Sequence, residues 1–226
     1  MENQETQTQT IQLKPDFGSA FGHGWRMMMK YFLELLLVSL VVVASQIPMG
    51  LMQIGQGTGF SPSMALLQIF GIGYALFVIA PIDFGSKFMF LKAMRDKKFE
   101  IKEIFSGFKD NYLNIILANL LTIAIVVIGF IMLIIPGIIF AIKLAFVPYL
   151  VMDKNLDPVE AVKESWRMTR GYGWTIFGMG FVSIFIGLGG LLLLILGIIP
   201  ATMWISSAFA SLYHAVDMEN NKPAVA

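Results

Sequence analysis

The chain has 226 residues, 57% of them hydrophobic and 14% charged, with a net charge of +1 and no cysteine. A soluble domain carries about 25% charged residues, so much of this surface is built for lipid rather than water. The missing cysteines exclude disulfides, thiolate catalysis and cysteine metal sites, and the near-neutral balance supplies no field for nucleic acid.

Residues 1–15 are polar and rich in Gln and Thr, the composition of a disordered tail. Asp16 then offers an N-cap, and Phe17, Ala20, Phe21, Trp25 and Met28 follow helical spacing. The first apolar span runs from Tyr31 to Met52 with Glu34 its one charge. About 20 apolar residues cross a hydrocarbon core. A cleaved secretory signal over residues 1–45 competes, with Val42-Val43-Ala44-Ser45 as its cleavage context. The run continues past it, however, further than such a signal needs.

Gln53 to Pro62 has a loop composition rich in Gly and Gln. The second span begins at Ser63, is uncharged until Asp83, and is expected to continue as helix to Arg95. Ile101, Ile104, Phe105 and Phe108 form a second helical stripe. The third span runs from Tyr112 to about Ile134, and Pro136-Gly137 reads as a turn. The fourth returns to Met152. Asp157, Pro158 and Glu160 make a well-formed helix start, and Val159, Val162, Trp166 and Thr169 form a third stripe. The fifth span runs from Trp174 to Leu196. A turn at Gly197 to Pro200 leads into the sixth, which ends near Val216, and residues 218–226 form a second tail.

The charges separate sharply along this map. Lys87, Lys92, Arg95, Lys97, Lys98, Lys102 and Lys109 surround the junction of spans two and three, and Lys154, Lys163, Arg167 and Arg170 that of spans four and five. Arg26 and Lys30 precede span one. The opposite junctions, Gln53–Pro62, Gly129–Gly137 and Gly187–Pro200, carry no charge of either sign. Short positive loops stay in the cytoplasm, so both termini are expected there, in a multi-pass protein of the bacterial inner membrane.

Three tandem units emerge, at about 16–96, 101–153 and 157–217. Trp25-Arg26-Met27 with Tyr31 matches Trp166-Arg167-Met168 with Tyr172 at the same spacing, and Phe108-Lys109 with Tyr112 is the middle copy. Each unit has a proline near or within its hairpin (Pro81, Pro136, Pro200) and an acidic exit (Asp96, Asp153, Asp217). The expected fold is therefore an all-α membrane protein. Its six transmembrane helices form three tandem hairpins, each preceded by an amphipathic helix lying in the interface. A cytoplasmic extension of the following span is the alternative for each of those helices.

Lys143, well inside span four, is the most informative single residue. An ionisable group there costs a few kcal/mol unless paired or wet. Asp83 and Glu34 are its expected partners, making a candidate intramembrane polar site of Lys143, Asp83 and Glu34. A structural pair or a snorkelling lysine would explain it without function. Asp83 and Lys87 can also pair locally at i, i+4. Trp25, Trp166, Trp174, Tyr112 and Tyr172 fit an aromatic belt. The small residues Ser207, Ser211 and Ala215, and Gly71 with Ala75, permit close helix packing. Motifs for a metal, a phosphate loop or a nucleophilic serine are lacking, and His23 and His214 have no evident third ligand. No catalytic residue, cofactor or metal is therefore expected.

The run Ile135-Pro136-Gly137, Lys143-Leu144, Pro148-Tyr149, Asp153, Pro158 with Glu160-Ala161, Ser165-Trp166 and Arg170-Gly171 resembles the membrane domain associated with glycerophosphoryl diester phosphodiesterases, and related bacterial integral membrane proteins. In phosphodiesterase members of that family a separate soluble barrel performs hydrolysis, for which these residues leave no room. The resemblance thus implies a membrane module and does not imply that activity, with Pro136, Gly137, Ser165, Trp166 and Gly171 as its family-like motif. The expected function is non-enzymatic organisation of membrane lipid or of a membrane-protein partner, which includes a second copy of the chain. A small transporter or lipid-translocating protein with a polar site near Lys143 is the alternative.

Overall fold

The structure, a computed structural model, describes residues 13–53, 62–109 and 111–221, leaving aside the side chains of residues 53 and 194–196. Most of the expected N-terminal tail, the loop between the first two spans and most of the expected C-terminal tail lie outside the described residues. Every regular element among the described residues is helical.

Helix α1 (Phe17–Lys30) starts where expected, with the Asp16 carboxylate accepting the Ser19 backbone N–H at 2.8 Å. It ends at Tyr31, and α2 (Phe32–Gln53) follows with Pro48 inside it. Helix α3 (Pro62–Tyr74), a π-helical turn (Ala75–Ile79) and α4 (Ala80–Met94) form one long rod. A 3₁₀ helix (Ile101–Phe108), closed by a reciprocal Glu100–Glu103 capping box, leads to α5 (Tyr112–Met132). Then come α6 (Ile134–Lys143), α7 (Val147–Lys154), α8 (Pro158–Met168), α9 (Gly173–Leu192) and α10 (Leu194–Asn220). Among the described residues, five stretches are long and apolar enough to cross a membrane: Phe32–Met52, Pro62–Met94, Tyr112–Met132, Ile134–Lys154 and Gly173–Leu192.

Both expected proline-containing turns fall elsewhere. The chain reverses at Leu133, in extended conformation, and Pro136-Gly137 lie in the first turn of α6. A proline there costs nothing, because first-turn N–H groups lack helical partners anyway. Gly137 instead serves packing: a Cβ would meet the Phe130 ring at 2.5 Å. Likewise the second reversal is at Leu193, and Pro200 sits within α10. The fourth stretch is not one helix either. It breaks between α6 and α7, where Pro148 has no N–H to offer the Leu144 carbonyl.

Hydroxyl groups attend these interruptions. The Tyr112 hydroxyl donates to the Phe77 carbonyl at 3.0 Å, the carbonyl four residues before Pro81. The Tyr74 hydroxyl donates to the Ser45 carbonyl at 3.0 Å, in the turn opened by Pro48. At the α6–α7 break Ser165 does two jobs: its Oγ donates to the Lys143 carbonyl at 2.7 Å and accepts the Phe146 N–H at 3.2 Å. Backbone groups left unpaired in an apolar interior cost several kcal/mol, and these side chains remove that cost.

The core is shared mainly by α4, α7 and α10. Met89, Leu91, Leu150, Val151, Leu212 and Tyr213 are fully buried there. Helices α2, α5 and α9 turn many large apolar side chains outward, among them Leu33, Leu113, Ile131 and Ile184, as lipid-facing helices do. The amphipathic segments pack against other helices rather than standing alone. Helix α1 runs along α10, where a Cβ on Gly24 would meet the Ala208 backbone nitrogen at 2.8 Å. The 3₁₀ helix lies on α4, with the Ile104 carbonyl oxygen 2.0 Å from a Cβ position on Gly85. Helix α8 packs on α5 and α7. Its buried face is Ala161, Ser165 and Met168, while Val159 of the expected stripe is 54% exposed. Small residues decide that face, because Ser165 must come close enough to bond the broken helix.

Candidate functional site

Two cations lie where apolar helices meet, and their surroundings differ. The first is Arg95, the residue capping α4. Its guanidinium forms a two-pronged ion pair with Asp153 at the end of α7, the Nη2–Oδ2 arm at 2.7 Å, and reaches Asp217 of α10 at 3.0 Å. Lys154 binds the other oxygen of Asp217 at 2.8 Å, and the Tyr213 hydroxyl donates to Asp153 at 3.0 Å. Arg95, Asp153 and Asp217 are all largely buried. Planar, doubly bonded arginine–carboxylate contacts are among the stronger polar interactions, and this one ties the ends of α4, α7 and α10 together.

The third acidic exit is separate from that hub. Asp96 accepts from Lys30 at 2.6 Å and from the Tyr31 hydroxyl at 2.7 Å, closing α1 against the end of α4. Those two hydrogen bonds hold the Asp96 carboxyl below its ordinary range. Nearby, His23 Nδ1 lies 2.9 Å from Ser211 Oγ across the α1–α10 seam. Burial, then the charge of Arg26, lowers its basicity, against the opposing pull of Asp96.

The second cation is Lys143, the terminal residue of α6. It is half-buried, and its Nζ lies 3.4 Å from the Thr169 carbonyl, a long contact. Lys143 heads a groove of about 650 Å³ between α6 and the start of α9. Ile135, Ile139 and Ile142 form one wall, and Trp174 and Phe177 the other. Gly171 and Gly173 lie at the same end as the lysine. Gly171 has φ of +85°, a conformation open to glycine, and it turns the chain from α8 into α9. Ser165 and Thr169 both contact the Lys143 carbonyl, at 2.7 and 3.4 Å. They therefore fix the backbone that carries the ammonium.

The three residues of the expected intramembrane polar site are not brought together. Asp83 is held by Lys87 at 2.7 Å, the local i, i+4 pair. Glu34 is exposed near the start of α2. Among the described residues, Lys143 makes no ion pair. The reason is geometric: the chain breaks immediately after Lys143 and the lysine faces α9. Of the family-like motif, Gly137 and Ser165 are packing and bonding residues, and Gly171 is a turn. Trp166 stacks obliquely on Phe140 at 5.7 Å, and Pro136 starts a helix. The belt aromatics also have internal partners. Trp25 meets Trp204 edge-on at 5.1 Å, and Trp204 itself donates to the Phe21 carbonyl at 3.2 Å. Arg95 escaped the sequence reading as a hub. Its signal was present in Asp153 and Asp217, acidic residues ending apolar runs and needing a cation. Among the described residues, no group of three or more His, Asp or Glu is placed to hold a metal.

Lipid-length apolar helices, a charged hub at their ends and a groove open to the side define an all-helical membrane protein. A family model described as a domain of unknown function (DUF7847) matches residues 105–217, half of the chain, and the protein belongs to that family. No curated protein and no solved structure matches it.

Proposed function

We propose that the protein is a non-enzymatic module of a bacterial inner membrane that organises lipid at the cytoplasmic leaflet. In this reading α10 is the sixth crossing and both termini are cytoplasmic. The observation that supports it most is the make-up of the three segments packed on the helix ends. They expose apolar and basic side chains together: Trp25 with Arg26 on α1, Phe105 with Lys102 on the 3₁₀ helix, and Val159 with Lys163 on α8. That combination suits a headgroup boundary, with rings in the acyl region and cations on phosphates.

The tandem-unit reading belongs to the same proposal. Each of these segments rests on the second helix of another unit: α1 on α10, the 3₁₀ helix on α4, α8 on α7. Three such contacts close the units into a ring. The kinship with the phosphodiesterase-associated membrane domain is also part of this reading. Ser165, one of the residues carrying that resemblance, has a structural task at the helix break that any relative with the same break would need.

A small transporter is the second reading, favoured by the π-helical turn before Pro81 and the break after Lys143. Interrupted helices line many transport sites. Two measurements separate the readings. Cysteines at Gly57, Lys98 and Lys154 report sidedness: external labelling is expected at position 57 alone, and labelling at 98 or 154 overturns the topology. Reconstitution into vesicles with fluorescent phospholipids should then show no accelerated movement of lipid between leaflets. Acceleration would favour the transporter.

A further inference from the structure

Resting on the lipid-organising reading, we propose that the groove headed by Lys143 is a binding site for one acidic phospholipid, its anionic headgroup on the ammonium and an acyl chain between α6 and α9. The ligand class follows from the lysine's surroundings. Its ammonium donates one long hydrogen bond, to the Thr169 carbonyl at 3.4 Å, and none of the described ion pairs includes it. A cation held among apolar walls without an anion is costly in a membrane, and a lipid phosphate is the anion most abundant at hand. At about 650 Å³, the groove falls in the range of small-molecule sites. It is far larger than a lysine needs to snorkel.

The groove's two ends differ as a lipid's two ends do. Toward the lysine lie the polar backbone of Thr169 to Gly173 and the exposed Arg170. Away from it run Ile139 and Ile135, 45% and 70% exposed, a wall continuous with the lipid-facing surface of the helices. An acyl chain can therefore enter from the side without crossing a polar barrier. Trp174, 85% exposed at the mouth, is placed to flank the glycerol region. The bonds from Ser165 and Thr169 fix the backbone carbonyl of Lys143 and leave its side chain free to reach a headgroup. Substitution at the side chain thus leaves the helix break intact.

The test is native mass spectrometry of the full chain in nanodiscs of mixed phosphatidylglycerol and phosphatidylethanolamine, comparing wild type, Lys143→Met and Lys143→Arg. Wild type should retain one phosphatidylglycerol at collision energies that strip the rest, and Lys143→Arg should keep it. Lys143→Met should lose most of that retained species, about tenfold, while melting at the wild-type temperature in phosphatidylethanolamine alone. Equal retention by Lys143→Met would overturn the proposal. So would equal retention of phosphatidylethanolamine by the wild type. Retention abolished in both variants would also overturn it, since Lys143→Arg preserves the charge. If the leaflet-exchange assay is positive but the retained lipid depends on Lys143, the module reading fails and this site stands. If the first is negative and retention is insensitive to Lys143, the reverse holds.

Discussion

Arg95 and Lys143 pose the same physical problem and receive opposite answers. Each is a cation among apolar helices. Arg95 is answered from within the chain, by Asp153 and Asp217, with Lys154, Tyr213 and His214 around them. Lys143 is given a carbonyl at long range and an open groove. The comparison teaches how to tell a structural charge from one kept for a ligand. The first has its counter-ions on other helices of the same protein, and the second has space where the counter-ion would be.

Removing Arg95 should have the largest effect. Arg95→Met leaves the largely buried Asp153 carboxylate without a cation and Asp217 with Lys154 alone, and removing one member of a buried pair costs about 3–5 kcal/mol. Thermal unfolding in detergent should show a large drop. Arg95→Lys should recover only part of it, because an ammonium cannot reproduce the two-pronged contact with Asp153. A variant as stable as wild type would mean that the hub is not structural.

Ser165→Ala is expected next in size. It strips a donor from the Lys143 carbonyl and an acceptor from the Phe146 N–H, both in an apolar setting. The loss should be about 1–3 kcal/mol, read in the same melts. Lys143→Met should then change stability by less than about 0.5 kcal/mol in uncharged detergent, because no internal partner is orphaned. A loss as large as that of Arg95→Met would show that Lys143 is structural after all.

The smallest effect concerns acid. His23 sits at the α1–α10 seam with its basicity lowered by burial. Its neutral form is favoured in the folded state, so its contribution is fully present above the ordinary value of 6.5 and is lost as pH falls below it. Melting temperature should decline between about pH 6.5 and 5, and His23→Gln should make that slope shallower. An unchanged slope would place the acid sensitivity elsewhere.

Much of this was legible in the residues themselves. Apolar length marks the five described stretches, and Asp16 and Pro158 mark helix starts. The misplaced features share a cause. Pro136 and Pro200 read as turns because sequence alone does not separate a proline in a helix's first turn, or in a helix supported by neighbours, from one in a loop. The protein-facing side of α8 is not legible either, because the apolar stripe marks the side with Val159, whereas close approach to the helix break requires Ser165 on the other. Lys143 invites carboxylate partners because an isolated cation in an apolar span demands some. Which helix it faces depends on a break set by Pro148 and bridged from 22 residues away by Ser165.

The seam between α1 and α10 has a consequence for how the protein is made. His23 meets Ser211 across 188 residues, and Phe21 meets Trp204 across 183. At translation rates of about 5–20 residues per second, α1 leaves the ribosome roughly 10–40 s before its partner exists. During that interval its buried face, with Ala20, Phe21, Gly24 and Met28, has to be sheltered by something other than α10. Arg95 waits too, since Asp153 and Asp217 are both synthesised after it. Bilayer lipid is the available shelter for the first and headgroup phosphate for the second. The membrane thus acts as a temporary stand-in for parts of the protein that have yet to be synthesised.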